Sequence, residues 1–543
     1  MVHGIVYSAL KDAVVKLLRV DVVRVIADTY KLLGQEVPPV DRLLEEAEKT
    51  PEVWETYAKG FTMGQNQTEQ EKTTERVMRF KPKNIVELSA FVAAIRPGAK
   101  SLVDDFVNRR KHIYGIKSMD DLLRLNGATG VTGESSFLFF DEQILTLAEK
   151  AGIAPEDAYV LIKSIKKKKH AKVAAFKDQF IPGFKDYLKR EEQADDALAE
   201  KTAAAVWQTI IDSASYLFCA AHAHAMAYDS LYGAMLKVKA PYEFYLTLLK
   251  LYTEKGNKQK IAKIINEMVR YKGIKLRAGK FGEDNRDWTV NKETQTISQS
   301  LSSIKQISQI AANALYELKD IKCFKPETDD IELAAYNEKH QKKPLAMPDT
   351  DYTSFVDVCR YIQKCTPVKK NQMQTLIAVG YFDKYGSESA LTKLYDAFIG
   401  SISKSLGIGS VIPRMIELRK LEQELCGQQT EDEIAHGIVE KAKAENEYVG
   451  LCLSSSNKLP QDMYIAQEVE SEYGVKIKAF SVARGTTGLL RMKKTDFEQM
   501  PLFKNDTFYL KKWKPRNKYS YKNGQRAVIP DEFENWIISF TKG

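Results

Sequence analysis

At 543 residues the chain is too long for a single hydrophobic core, and three or four domains of ordinary size are expected. An apolar content of 44% supports globular folding, while 81 Lys plus Arg against 72 Asp plus Glu leave a net charge of +9, too small at this length to imply a polyanionic partner by itself. No window approaches eighteen uninterrupted apolar residues, and the opening MVHGIVYSALKDAVVKLLRV is charged where a signal peptide needs an apolar stretch, so a soluble, cytoplasmic protein without a membrane span is expected.

From Lys11 to Leu33 apolar residues recur at helical spacing, and a charged helical pattern follows from Pro39 to Lys59. Val86 to Ala94 is almost wholly apolar and stops at Arg96-Pro97-Gly98, the signature of a buried helix. Residues 136 to 277 alternate helical segments with Gly or Pro breaks and predict an α-helical domain. DWTVNKETQTIS, from Asp287, alternates β-branched and polar residues about a turn and predicts a small hairpin. Lys325 to Thr353, rich in Pro, Asp, Lys and Glu, is expected to be an exposed linker, and short helices are expected on either side of Val379-Gly380-Tyr381. After Glu447 the runs YVGLCLS, VKIKAFSVA, GLLRMKK and TFYLKKWK, set apart by Gly and Asn turns, predict a small antiparallel barrel or sandwich. Six cysteines (Cys219, Cys323, Cys359, Cys365, Cys426 and Cys452) contain no CxxC pair and suggest reduced, mostly buried thiols.

Three features carry chemistry. The run KSIKKKK, Lys163 to Lys169, gathers ammonium groups that favour phosphate contact by Coulomb attraction and counterion release; a solvated helix end is the alternative. Phe218 to His224, FCAAHAH, opens a long helix whose two histidines lie on different faces and make a poor metal site. A histidine there either satisfies a backbone group or contacts an anion at the positive helix end. In the tail Lys511, Lys512, Lys514, Arg516 and Lys518 interleave with Phe508, Tyr509, Trp513 and Tyr519, suiting either a single-strand-binding surface or a barrel with a basic edge. No GxxxxGK[ST] loop is present, and no Ser-His-Asp or Cys-His order favours hydrolysis.

In this order the segments resemble the alpha subunit of bacterial DNA polymerase III, a replicative polymerase of the C family. IVELSAFVAAIRPGAKSLVDDFVNRRKH (Ile85 to His112) is similar to the family segment that passes through an RPG turn to a basic ending. FLFFDEQILTLAEKAGI (Phe137 to Ile153) resembles LYQEQVMQIA, with Asp141 where Gln is usual, and LIKSIKKKKHAKV (Leu161 to Val173) resembles RKAIGKKK. FCAAHAHAMAYDSLYGAMLKVKAPYEFY (Phe218 to Tyr245) aligns without gaps to the FNKSHAxAYA helix. Asp287 to Ser308 resembles the hairpin FTVDxxGxIxxGLxAIKGVG, Phe355 to Gly386 the helix-hairpin-helix segment ending LIxAGAFDxxG, and Glu445 to Ser456 the approach to the OB domain.

The resemblance implies a mainly α, multi-domain fold: a remnant of palm at 1–30, polymerase fingers at 31–310, a helix-hairpin-helix duplex-binding region at 311–435 with its linker at 325–353, and a C-terminal β OB-like domain at 436–543. It implies the C-terminal portion of a split DNA-directed DNA polymerase, a nucleotidyltransferase of bacterial or bacteriophage origin; a catalytically inactive, polymerase-derived DNA-binding protein is the alternative. Arg96, Lys167, Lys168, Lys169 and His222 are carried over as ligands of the incoming dNTP, and Lys369, Lys370, Gly380, Lys511, Lys512, Trp513 and Lys514 as DNA contacts. Cys219, Ala220 and Met226 depart from the family's Asn, Lys and Tyr.

The family's palm holds two Mg2+ on aspartates. Here a gapless placement puts Leu18 at the third ligand, leaving Asp12 and Asp21 as weak candidates and no firm metal site, so Mg2+ is expected to be held mainly by residues outside this chain. Primer-template DNA and a separate chain with palm, thumb and PHP domain are the implied partners, and the helices at 10–60 should then present an apolar outer face. Gln499-Met500-Pro501-Leu502-Phe503 has the QxxLF form of sliding-clamp ligands, although its position in the expected barrel makes Leu502 and Phe503 core residues.

Overall fold

The computed structural model describes residues 21–95, 100–125, 135–167, 169–213, 218–318, 338, 354–402, 408–427, 431–472, 474–522 and 525–543. Asp12, Leu18, Arg96, Lys168 and Cys323 lie outside them, as does the linker at 325–353 apart from Glu338. The chain divides into two compact units, residues 1–251 and 252–543.

The first unit is helical, as its 3.6-residue periodicity dictates. Helix Ile85–Ala94 has almost no polar face and is buried from Glu87 to Ala94. Asn84 starts it by accepting the Glu87 N–H at 2.9 Å, and the Glu87 carboxylate in turn receives the Arg109 guanidinium, which lies 4.6 Å from the centre of the Phe80 ring. Phe80, Phe91, Phe106, Phe137 and Phe139 stack into a fully buried aromatic core beside it. A second core joins helices Asp141–Lys150, Pro155–Lys166, His170–Glu192 and Asp196–Ser213 around Phe180, Phe184 and Trp207. Gly183 makes this packing possible: a Cβ there would stand 1.9 Å from the Ala151 carbonyl oxygen.

The split-polymerase reading requires an apolar outer face at residues 10–60. Among the described residues of that stretch Leu32 is the one exposed large hydrophobic, at 51%, while Val22, Val25, Ile26, Leu43 and Val53 all turn inward. Their helical spacing is spent on the unit's own core, and the expected face is not formed by them.

In the second unit the expected hairpin is β2 (Thr289–Asn291) antiparallel to β3 (Thr296–Ser298), but β1 (Lys275–Arg277) adds in parallel on the far side of β3. Helices Phe355–Cys365, Lys370–Ala378, Glu388–Ser401, Ile408–Cys426 and Glu431–Tyr448 follow. Glu422 caps the first of these, accepting from Phe355 N at 2.7 Å and Val356 N at 3.3 Å. Buried Glu445 organises the approach to the barrel by accepting from Leu453 N, Ser454 N and Ser454 Oγ, each at 2.7 Å, and burial pushes its carboxyl pKa up despite these bonds.

The C-terminal strands are β4 (Met463–Glu470), β5 (Val475–Ser481), β6 (Thr486–Met492), β7 (Thr507–Lys522) and β8 (Gln525–Lys542), closed into a barrel in the order β4-β5-β6-β8-β7. The antiparallel expectation is corrected at one seam: β6 and β8 run parallel, through Leu490↔Asn535 and Arg491↔Trp536. With the short helix Lys494–Gln499 between β6 and β7, this is an OB-like five-stranded barrel. Among the described cysteines, all free, Cys359 and Cys452 are buried, Cys219 and Cys426 half-buried and Cys365 exposed, so burial is less general than expected.

Candidate functional site

In the first unit the segments singled out for phosphate chemistry meet at the start of helix Asp141–Lys150. The extended run before it pairs with Phe218: Phe218 N donates to Phe139 O and Asp141 N to Phe218 O, both at 3.0 Å. Helix Ala220–Lys239 begins two residues later with Cys219 at its cap. The next side chain of the first helix, Glu142, reaches this end, and its carboxylate accepts from Ala220 N at 2.9 and 3.1 Å and from Cys219 Sγ at 3.4 Å. The positive end of a helix attracts an anion, and here an internal carboxylate takes its first N–H.

The two histidines divide the roles left open by the sequence. His224 satisfies the backbone, its Nδ1 lying 2.8 Å from Ala220 O and 3.0 Å from Ser89 Oγ. His222 is exposed, with its ring edge-on to Phe218 at 5.0 Å.

The lysine run is dispersed rather than massed. Lys163 Nζ lies 4.2 Å from the centre of the Tyr159 ring, and Lys166 Nζ donates to Asp141 Oδ2 at 2.6 Å. Lys167 and Lys169 are exposed and make no ion pair among the described residues. Asp141 and Glu142 are neighbours, so their contacts bring the end of helix Pro155–Lys166 and the start of helix Ala220–Lys239 to the same place.

Sequence reasoning missed a polar cluster on the second of these helices. His222, Met226 and Asp229 recur at i, i+4 and i+7 on one stripe, which the loop residues Asn66 and Gln67 approach. Asn66 Nδ2 is 3.0 Å from Met226 Sδ and 3.5 Å from Asp229 Oδ2, and Gln67 Nε2 is 3.8 Å from Met226 Sδ. Burial raises the Asp229 pKa to about 6 against the smaller opposing effect of the Asn66 amide. A lone Asp among apolar residues of a helix was the available signal, but nothing local announced the loop that meets it.

In the second unit Lys369 and Lys370 are exposed at the start of helix Lys370–Ala378. Gly380 ends that segment with φ +76, and a Cβ on it would lie 2.4 Å from Asp383 Oδ1 and from Lys441 Nζ. Gly380 is buried and its carbonyl accepts Lys280 Nζ at 2.8 Å, while Asp383 bridges Lys280 and Lys441 at 2.6 Å each.

On the barrel Lys511 pairs with Asp462 at 2.6 Å, while Lys512 and Lys514 are exposed and Trp513 is 51% exposed. The register Trp513↔Ile537, Lys514↔Trp536, Pro515↔Asn535, Arg516↔Glu534, Asn517↔Phe533 places Trp513 and Phe533 on one face of the β7–β8 ribbon, and Lys514 and Arg516 on the other. Arg516 stacks 4.8 Å over Trp536 on its own face. The QxxLF segment is split: Leu502 is fully buried in the barrel core, but Phe503 is 62% exposed, correcting its assignment to the core. A clamp could therefore not reach Leu502 in the folded barrel.

Among the described residues no three His, Cys, Asp or Glu side chains are grouped to hold a metal ion, and Asp21 sits in the first turn of helix Asp21–Leu32. The donor set does not fit an Mg2+ pair, and no chemical step through metal is assigned to it. No described helix is long and apolar enough to cross a membrane.

Residues 23–187 match the family model for the finger domain of the bacterial DNA polymerase III alpha subunit. The DNA polymerase III subunit alpha of Aquifex aeolicus is 28% identical over 302 residues, covering 54% of this chain and 24% of that protein. That of Campylobacter jejuni is 25% identical over 482 residues, 84% of this chain and 35% of the relative, and that of Bacillus subtilis 27% identical over 270 residues, 49% and 22% respectively. The chain thus spans about a third or less of the length of these relatives. With helical segments that converge as described in the first unit and an OB-like barrel in the second, the chain is similar to part of the bacterial DNA polymerase III alpha subunit, its residues 23–187 to that subunit's finger domain.

Proposed function

We propose that this chain is the C-terminal portion of a split DNA-directed DNA polymerase, gripping the incoming dNTP and primer-template DNA while a partner chain supplies the palm carboxylates, the thumb, the PHP domain and most of the Mg2+ ligands. The observation that carries the nucleotide half is the meeting of the lysine turn and the first turn of helix Ala220–Lys239 on two adjacent side chains, Asp141 and Glu142. Cationic side chains beside free N–H groups at a helix end can hold several oxyanions at once. Arg96, Lys167, Lys168, Lys169 and His222 are the proposed triphosphate ligands. In this reading residues 1–30 are palm, 31–310 fingers, 311–435 a helix-hairpin-helix region using Lys369, Lys370 and Gly380, and 436–543 an OB domain using Lys511, Lys512, Trp513 and Lys514.

Equilibrium titration with a dNTP tests the nucleotide half. Replacing Lys167 and Lys169 together by Ala should weaken binding at least tenfold, and equal affinity in the double variant would remove these lysines from the site. Co-expression with a chain carrying the palm aspartates should restore primer extension; no extension with any such partner refutes the split arrangement.

A second reading, a DNA-binding protein without polymerase chemistry, is favoured by Ala220, which leaves the Glu142 carboxylate at the helix end without the basic residue of the family pattern. DNA binding with no saturable dNTP binding would select it.

A further inference from the structure

Lys166 is the last residue of its helix, and Lys169 caps the next one, His170–Glu192. Whatever anchors Lys166 therefore orients the turn that carries the proposed triphosphate lysines. Its anchor is Asp141, at 2.6 Å, with side-chain exposures of 36% for Lys166 and 19% for Asp141. The other carboxylate oxygen, Asp141 Oδ1, is buried without a hydrogen-bond partner among the described residues. Such a carboxylate is strongly dependent on its single cation, because losing it would leave a shielded charge uncompensated. Both members of the pair depart from the family pattern quoted above, Asp141 standing at its Gln and Lys166 at the Gly of RKAIGKKK. The pair is thus a feature of this chain and sits one residue from Glu142, which holds the start of helix Ala220–Lys239.

We propose that Asp141 is a positioning residue for triphosphate binding: through Lys166 it holds the turn bearing Lys167 and Lys169 beside the first turn of helix Ala220–Lys239, so that one polyphosphate can meet the lysines and His222 together. The inference rests on the nucleotide reading above. Coulomb repulsion and positioning make opposite demands on the same side chain. A carboxylate next to an anion site repels the anion, so neutralising it should tighten binding several-fold if charge alone mattered. If the carboxylate sets the direction of the turn, neutralising it loosens the lysines and weakens binding, since a displaced ligand group loses most of its value.

The test measures the affinity of the full chain for a dNTP and for inorganic triphosphate at fixed salt, together with its melting temperature. Asp141→Asn is expected to weaken both ligands three- to tenfold with little change in melting temperature, and the charge-swapped double variant Asp141→Lys/Lys166→Asp to recover to within twofold of the parent. Unchanged or tighter binding in Asp141→Asn overturns the proposal, as does a swapped variant that melts like the parent but stays weak. A fall in melting temperature of Asp141→Asn that tracks the affinity loss, with a stabilising osmolyte restoring stability and binding together, assigns the pair to folding alone and also overturns it. The Lys167→Ala/Lys169→Ala variant measured alongside separates the two levels: if it loses affinity while Asp141→Asn does not, positioning fails and the nucleotide reading stands. If neither loses affinity, the nucleotide reading itself fails.

Discussion

Asp229 shows how one side chain couples packing to pH. Half-buried between helix Ala220–Lys239 and Asn66, its carboxyl has a pKa of about 6 in the folded protein against an ordinary value of 3.8. The folded state therefore binds the proton more tightly than the unfolded state. The resulting stabilisation is complete below the ordinary value and is lost as pH rises towards 6. Allowing for partial exposure, the ionised group costs on the order of 1–2 kcal/mol at neutral pH. Asp229→Asn should accordingly be more stable than the parent at pH 7.5 and show no such advantage at pH 4.5, as read by denaturant unfolding at both values. A parent protein whose stability is flat between pH 4 and 6.5 would contradict this. Residues of this kind were poorly legible in the sequence: Asp229 and Glu142 owe their roles to partners 163 and 78 positions away.

At the scale of elements, a nearly unbroken apolar run announced helix Ile85–Ala94, and alternation announced the β2–β3 hairpin and the barrel strands, because such patterns report local burial. The strand β1 was not announced, since it lies apart in sequence from the hairpin it joins and no turn signal links the two, and the parallel β6–β8 seam is a matter of long-range closure that no local pattern encodes. The segment between helix Lys494–Gln499 and β7 illustrates the same limit. Leu502 and Phe503 are adjacent and equally apolar, but one fills the barrel beside Leu490 and Phe508 and the other lies on the surface under the Lys542 ammonium. Leu502→Ala should cost about 2–4 kcal/mol in unfolding experiments. Phe503→Ala should cost about 0.5 kcal/mol or less, as an exposed substitution. Similar costs for the two would mean that the barrel packs differently from this description.

Over the whole molecule the charge is unevenly placed. Residues 507–542 contain eight Lys or Arg and three Asp or Glu, a net charge of +5 out of the chain's +9. Composition concealed what topology concentrates: more than half of the excess positive charge rides on β7 and β8. If the barrel holds single-stranded DNA as proposed, log K should fall linearly with log salt, and Lys512→Ala with Lys514→Ala should flatten the slope by about 1.4, at about 0.7 per lost phosphate contact. Trp513→Ala should instead lower affinity by about 1–3 kcal/mol at unchanged slope, because stacking releases no counterions. A Trp513→Ala variant with parental affinity would take that residue out of the DNA surface. The β7–β8 ladder shifts register three times, and the first two shifts, between Leu510 and Lys512 and between Lys512 and Trp513, leave Lys511 extra on β7 and Ile538 extra on β8. In a structure of period two, an extra residue acts as a parity switch. Removing Lys511 would leave the interior side chains Phe508 and Leu510 in place and reverse the β7 side chains beyond it, turning Lys514 and Arg516 to the face on which Trp513 and Phe533 now stand.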